Sequence, residues 1–170
     1  MSAREKILNG IAINQPELVA LPVMDMNVII SYPDVCEQFK MMMQSIGGKV
    51  ELVSNISVLK ERLIADKASG NFVINAIANL GELDSQVASF TASELEKVER
   101  AYIKGTIGAA ENGAIWIYES QMINRLLPFI CQHLILVIDK KNIVPTMHQA
   151  YDSIEVAKEA TKRGVTRSIV

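Results

Sequence analysis

The 170-residue sequence has few aromatic residues, little net charge and no long hydrophobic run, and each shortage removes a class of function. Phe, Trp and Tyr make up 5% of the chain, so a stacking platform for nucleic acid is not expected. The formal net charge of −2 attracts neither nucleic acid nor an anionic membrane. The longest apolar run, around HLILVI, is far too short to span a bilayer, so we expect no membrane partner.

Cysteine is scarce as well. Cys36 and Cys131 lie far apart and form no CxxC pair. Iron–sulfur clusters are usually bound by four thiolates, so we expect no cluster in this chain. The N-terminal stretch MSAREKILNGIAINQPEL lacks the apolar core of a signal peptide. Two free thiols in a reducing cytoplasm are therefore the expectation.

Several familiar catalytic and metal-binding motifs are missing. His133 and His148 form no HExxH pattern with nearby acids, so no metal site is expected. No GxSxG elbow marks a serine hydrolase, and no GxxxxGK[ST] loop marks a nucleotide-binding P-loop.

Hydrophobic residues make up 49% of the chain, and their pattern predicts alternating helices and strands. We predict a short N-terminal helix, ended by Gly10, and an irregular arm over residues 1–33, followed by one domain over 34–170. KVELV, residues 71–77, AYIKGT, AIWIYES and HLILVID are predicted strands, with helices between several of them and after Pro145. HLILVID is predicted to be a central strand. This alternation predicts an α/β fold with a mostly parallel sheet covered by helices on both faces.

The glycine-rich stretch 105–120, GTIGAAENGAIWIYES, is the strongest candidate for a ligand-binding wall. Its glycine spacing does not fit a dinucleotide-binding GxGxxG loop. One interpretation is a short helix over IGAAEN whose free N–H groups, near Thr106 and Gly108, receive an anion at the end of a strand. The other is a tight strand–turn–strand in which small residues permit close packing. Asn112 and Gly113 provide the turn in either case.

Three charged or titratable residues near this stretch are further candidates. Glu111 precedes the turn and could serve as acid, base or nucleophile, or could be a solvated turn residue. Arg125, in the apolar stretch INRLLP, could bind a carboxylate or phosphate, or could pack its stem on the loop. His133 begins a predicted strand and could be a ligand-binding residue or a satisfied core histidine.

Residues 98–148 carry a combination of motifs that resembles the lactate utilisation domain (LUD) family, in particular its stand-alone protein C type. The shared features are a Thr-containing turn, an Ala-acid-x-Gly turn, an Arg followed by Leu-Leu-Pro, a His-led strand and a Val-Pro pair. They correspond to Thr106, Ala110 to Gly113, Arg125 to Pro128, His133, and Val144 with Pro145.

The resemblance implies a three-layer α/β/α sandwich like that of the sugar-phosphate isomerases, CoA transferases and formyltetrahydrofolate cyclo-ligases. It also implies a subunit that works beside iron–sulfur proteins oxidising L-lactate to pyruvate, with the clusters in those partner subunits. The pocket would then comprise Thr106, Gly108, Glu111, Asn112, Gly113, Arg125 and His133 and would bind a small anionic ligand.

Two alternatives remain open. The protein could be an enzyme of the same fold group acting on a small anionic or acyl substrate, with Glu111 as the catalytic residue. It could also be a degenerate remnant, because Asn112 replaces the family's usual Thr and the family's C-terminal Gly-Pro-Ser and Gly-x-His-Gly segments are not found. We expect the loss of that segment to leave a sheet edge uncovered, which would favour a homo-oligomer.

Overall fold

The computed structural model describes residues 2–17, 19, 20, 22 and 30–154. Six helices lie in these residues: α1 (Ala3–Ile13), α2 (Val35–Ser45), α3 (Ile56–Ala68), α4 (Ala92–Leu95), α5 (Leu127–Ile130) and α6 (Met147–Ser153). Six strands accompany them: β1 (Val73–Asn75), β2 (Arg100–Lys104), β3 (Ile107–Ala109), β4 (Ile115–Trp116), β5 (His133–Val137) and β6 (Ile143–Val144). Short 3₁₀ turns span Ser85–Ser89, Glu119–Gln121 and Lys140–Asn142.

The main sheet is parallel and has the strand order β1-β2-β5. Val73 pairs with Arg100, and Arg100 pairs in turn with His133, so the three strands begin at the same level. A second small sheet has the order β4-β3-β6, with β3 antiparallel to β4 and parallel to β6. The second sheet follows the carboxyl end of β2 because only Gly105 and Thr106 separate β2 from β3.

Helices cover both faces of the main sheet, which confirms the predicted three-layer architecture. On one face, Leu59 and Leu63 of α3 pack with Val73 and Tyr102. On the other face, a larger core contains side chains from α2, α4, α5 and both sheets, among them Phe39, Ile74, Leu95, Ala101, Ile103, Ile115 and Leu127. Parallel strands buried on two faces require apolar side chains in both directions, which explains their nearly continuous hydrophobic runs.

Local capping explains where several helices begin. Ser2 and Glu5 form a capping box at α1. Asp34 caps α2 by accepting hydrogen bonds from two backbone N–H groups. Asn55 caps α3, because its side-chain oxygen accepts from the N–H groups of Ser57 and Val58.

Four sequence-based expectations about elements were wrong. Helix α1 continues through Gly10 to Ile13. KVELV (49–53) forms no strand, since no neighbouring strand pairs with it. IGAAEN is not helical: Ile107–Ala109 is a strand, because its backbone pairs with β4 and β6. HLILVID supplies β5, but in the described part of the chain β5 pairs with β2 alone and lies at the edge of the main sheet. The predicted continuation of the last helix beyond residue 154 lies outside the described residues.

Candidate functional site

The glycine-rich stretch forms the tight strand–turn–strand rather than a helix with free N–H groups. A Cβ at Gly105 would lie 2.6 Å from Ile115 Cγ2, and one at Gly108 would lie 3.2 Å from Phe39 Cε2. Glycine at position 105 therefore permits the close approach of Ile115 in β4, whereas a side chain at position 108 would require Phe39 of α2 to shift by a few tenths of an ångström. Gly113 has φ +73°, a left-handed conformation that glycine adopts without strain. Asn112 completes the turn through its Oδ1, which accepts from the Ala114 N–H at 3.0 Å.

Glu111 joins this turn to the start of α6. Its Oε1 accepts a hydrogen bond of 2.8 Å from the Met147 N–H, in the first turn of that helix. Its own N–H donates to the Pro145 carbonyl at 3.0 Å, which extends the pairing of β3 with β6. A carboxylate at a helix N-terminus is electrostatically favourable because it faces unpaired N–H groups. Glu111 thus has a defined structural contact, and its catalytic role stays a prediction.

Thr106 and Arg125 both connect to the 3₁₀ turn Glu119–Gln121. The Thr106 hydroxyl donates to Gln121 Oε1 at 2.8 Å, and the same oxygen accepts from the Tyr118 N–H at 2.8 Å. Arg125 Nε lies 2.5 Å from Glu119 Oε1. The Arg125 side chain is 72% exposed, so most of its guanidinium faces solvent. The structure therefore places Thr106 and Arg125 on one connected patch, linked through Glu119 and Gln121. These four residues form the Thr106 patch.

His133 does not join this patch. It pairs with Arg100 at the beginning of the parallel strands, whereas Thr106 follows Lys104 at their other end. The four residue steps of β2 from Arg100 to Lys104 place these two ends of the sheet about 13 Å apart. His133 is 63% exposed, and its Nε2 lies 3.5 Å from Glu99 Oε1. The sequence-predicted residues are thus divided between the two ends of the main sheet.

Two polar groups beside the Thr106 patch are buried and have no hydrogen-bond partner among the described residues: Trp116 Nε1 and Glu119 Oε2. Trp116 is 6% exposed and packs edge-to-face against Tyr151, at a centroid distance of 6.4 Å. Neither Trp116 nor Gln121 is among the site residues predicted from the sequence. Their proximity to Thr106 depends on the β3–β4 pairing, which no local motif indicates.

A polar cluster that the sequence did not predict lies under α3. Asp66 is 9% exposed and receives hydrogen bonds from Arg100 and from the Tyr102 hydroxyl. Burial and the hydrogen bond to Asp66 raise the pKa of Tyr102 well above its usual value. The cluster ties α3 to β2 across more than thirty residues of sequence, since Asp66 and Tyr102 are 36 positions apart.

A groove of about 620 Å³ lies beside β5, the outer strand of the main sheet among the described residues. Its apolar lining includes Phe39 and Met43 from α2, Leu59 from α3, and Leu134 to Val137 of β5. Lys49, Glu51 and Arg62 supply its charged groups, and Arg62 pairs with Glu51 at 2.6 Å. A volume of this size lies within the range of ligand sites in proteins.

Among the described residues, no three His, Cys, Asp or Glu side chains are grouped so that they could hold a metal ion. Within the same part of the chain, no helix is both long and apolar enough to cross a membrane. Cys36 and Cys131 are free thiols, and burial raises the pKa of the Cys131 thiol.

Together, the parallel sheet, its two helical layers and the small β4-β3-β6 sheet define an α/β protein of the three-layer class. The same architecture occurs in a DUF162 family protein from Deinococcus radiodurans, whose crystal structure matches with a TM-score of 0.62 at 18% identity. The match covers 84% of this chain and 89% of that one. The family model of the LUD domain matches residues 36–170, and the chain therefore belongs to the LUD domain family, which is named for lactate utilisation. No curated protein matches the sequence.

Proposed function

We propose that this protein is a subunit of an iron–sulfur-dependent L-lactate oxidation system in the cytoplasm. The observation that carries the proposal is the LUD family match over residues 36–170. The clusters would belong to partner subunits, because two free cysteines cannot supply the four thiolates that a cluster usually takes. Two unpaired thiols also agree with a reducing compartment.

We further propose that the Thr106 patch binds a small anion, such as a carboxylate. A guanidinium has five N–H donors, and the Arg125–Glu119 pair engages Nε, so the exposed side chain has donors left for a second carboxylate. The buried indole Nε1–H of Trp116, a residue whose backbone carbonyl accepts from the Thr106 N–H, has no partner among the described residues. Gly108, Asn112 and Gly113 would act indirectly, by shaping the turn, and His133 would contact a different ligand or partner because it lies at the other end of the sheet.

Co-purification tests the assembly. The affinity-tagged protein is co-expressed with the iron–sulfur proteins encoded beside it, and the purified material is assayed for iron, sulfide and lactate-dependent dye reduction. We expect an iron–sulfur partner to co-purify and to lose lactate oxidation when this subunit is omitted. Recovery of the full activity without this subunit would contradict the proposal.

A thermal-shift series tests the anion site separately. Lactate, pyruvate, sugar phosphates, CoA esters and folates are added to the isolated protein, to Arg125→Ala and, as a matched control, to Arg4→Ala, which changes an exposed arginine of α1. We expect the stabilising ligand to lose its effect in Arg125→Ala alone. Equal shifts in all three proteins would rule out Arg125 as the anion-binding residue.

A further inference from the structure

Two Asn-Gly pairs occur in the sequence, Asn9-Gly10 and Asn112-Gly113, and both asparagine side chains are exposed. An asparagine followed by glycine is prone to deamidation, because a glycine has no Cβ to shield its backbone nitrogen from the neighbouring side-chain amide. By sequence alone, the two pairs have the same chemistry. The structure separates them, since one lies in α1 and the other in the turn between β3 and β4.

The reaction uses water and no other co-reactant. The glycine nitrogen loses its proton to solvent base and bonds to the asparagine Cγ, and the Cγ–Nδ2 bond breaks to release ammonia. Water then opens the resulting imide ring at either of its two carbonyls. Breaking the bond between the glycine nitrogen and Cγ gives aspartate, whereas breaking the bond between that nitrogen and the original backbone carbonyl gives isoaspartate. The first step requires the glycine N–H to be released from its hydrogen bond.

At Asn112, both reacting groups are held in place. The Gly113 N–H donates to the Ala109 carbonyl at 2.9 Å, and Asn112 Oδ1 accepts from the Ala114 N–H at 3.0 Å. Gly113 is buried next to α2, where an added Cβ would lie 3.0 Å from Met43 Sδ. The Gly113 nitrogen therefore reacts only after the turn has opened.

Other hydrogen bonds fix this turn to two further elements. Glu111 accepts from the Met147 N–H of α6 at 2.8 Å and donates its own N–H to the Pro145 carbonyl at 3.0 Å. Ala110 is fully buried and donates to the Val144 carbonyl at 2.9 Å. Opening the turn consequently disrupts the pairing of β3 with β6 and the start of α6, so this opening is costly.

Asn9 lies in α1, a helix that the core does not support. No residue of α1 is buried, and its isoleucine and leucine side chains are all more than half exposed. Among the described residues, neither core cluster contains a side chain of α1. A helix of 11 residues is marginal in water without tertiary packing, so the hydrogen bonds inside it open at little cost. The Gly10 nitrogen is therefore released far more often than the Gly113 nitrogen.

We propose that Asn9 is a site of spontaneous deamidation in the native protein and that the folded turn protects Asn112 from the same reaction. The products at position 9 are aspartate, which adds a negative charge to α1, and isoaspartate. Isoaspartate carries the backbone through the side chain and lengthens it by one carbon, so the regular hydrogen bonding of α1 is interrupted there. The core is unaffected because α1 contributes no buried residue to it.

Peptide mapping by mass spectrometry tests the proposal on the full chain. The protein is incubated in mildly alkaline buffer made with heavy-oxygen water, either native or in concentrated urea, and samples are digested in ordinary water at intervals. The incorporated heavy oxygen distinguishes deamidation during the incubation from earlier or later modification. Electron-transfer fragmentation distinguishes aspartate from isoaspartate. Asn9 and Asn112 are compared within each sample, so each is the reference for the other.

We expect Asn9 to deamidate about tenfold faster than Asn112, or more, in the native protein, and the two to react at similar rates in urea. A native rate at Asn112 equal to or above that at Asn9 would mean that the turn gives no protection. Slow native reaction at both sites would mean that α1 protects Asn9, and slow reaction at either site in urea would mean that this Asn-Gly pair is unreactive. Each of these results overturns the proposal.

Phe39→Ala tests whether the folded core provides the protection. An added Cβ at Gly108 would lie 3.2 Å from Phe39 Cε2, so the substitution loosens α2 against β3. We expect native deamidation to accelerate at Asn112 and to stay unchanged at Asn9. Met41→Ala, on the same helix but 56% exposed, is the matched control and should change neither rate. If Phe39→Ala does not fold, Asn112 should react as it does in urea, and an unchanged rate at Asn112 would overturn the protective role of the turn.

Discussion

At the scale of single residues, the Asp66 cluster illustrates how a charge is accommodated next to the core. Asp66 is almost fully buried, and the Tyr102 hydroxyl and the Arg100 guanidinium occupy its two carboxylate oxygens. A buried carboxylate is costly unless its hydrogen-bonding capacity is filled. Loss of either partner would therefore destabilise the protein mainly by leaving a buried carboxylate oxygen without a donor. The net energy of the lost hydrogen bond is the smaller part of the effect.

Replacing Tyr102 by Phe is expected to lower the free energy of unfolding by about 1–3 kcal/mol, because one buried oxygen of Asp66 loses its donor while the ring remains. Urea denaturation measures the change. Tyr151→Phe is the control, since Tyr151 is 45% exposed. Equal effects of the two changes would contradict a special role of the Tyr102 hydroxyl.

The raised pKa of Tyr102 also predicts a pH dependence. Its pKa is higher in the folded than in the unfolded protein, so its contribution to stability is complete below the unfolded value of about 10 and is lost as the pH rises further. We expect the free energy of unfolding to fall more steeply above pH 10 in the unaltered protein than in Tyr102→Phe. Parallel pH curves for the two proteins would refute this expectation.

Glu111 allows the structural and catalytic roles to be separated. Glu111→Ala should destabilise the protein by about 1 kcal/mol because the Met147 N–H loses its acceptor, whereas Glu111→Gln retains an acceptor oxygen and should lose less. Thermal unfolding measures both, with exposed Glu61→Ala as the control. If Glu111→Gln is stable but abolishes lactate oxidation in the reconstituted assembly, the carboxylate has a chemical role beyond the hydrogen bond.

At the scale of elements, only some side chains of α2 pack against the core. Phe39 is 3% exposed and contacts the strand β3 at Gly108, whereas Met41 on the same helix is 56% exposed. Two further methionines, Met42 and Met43, follow Met41 in the sequence. The structure makes Met43 the one that packs on the core and that approaches the turn at Gly113.

Phe39→Ala is therefore expected to cost about 3–5 kcal/mol of stability, through lost burial and the cavity left behind. Met41→Ala on the same helix should change stability little. Chemical denaturation of the two variants measures the difference. A Phe39→Ala protein as stable as Met41→Ala would show that α2 is not part of the cooperative core.

At the scale of the whole molecule, the first described residues lie apart from the core. Helix α1 has no buried residue, and its apolar side chains Ile7, Leu8, Ile11 and Ile13 are all more than half exposed. The family match begins only at residue 36. We therefore predict that the cooperative unit is built from the residues that follow the arm.

Removal of residues 1–17 is expected to leave the melting temperature of the remaining chain unchanged, because it exposes no core surface. Differential scanning calorimetry of the shortened and full-length proteins tests this expectation. A loss of several degrees would mean that α1 contributes to the stability of the folded domain.

The sequence by itself determined the α/β alternation, the buried character of the strands and the family. These properties depend on hydrophobic periodicity, on side-chain caps such as Ser2 with Glu5, and on motifs within about 50 residues. The turn at Asn112 and Gly113 was equally predictable, since a left-handed position next to an Asx turn selects these residues locally.

Only the tertiary structure decided which strands and side chains that are distant in sequence lie next to each other. Ile107–Ala109 became a strand because β4 and β6 pair with it, although IGAAEN, the stretch that it begins, was a candidate helix by composition. The separation of His133 from Thr106, the burial of Asp66 beneath Tyr102 and the outer position of β5 among the described strands all follow from strand order and register. These three features depend on contacts between residues that are distant in sequence. A local pattern of side chains therefore does not predict them.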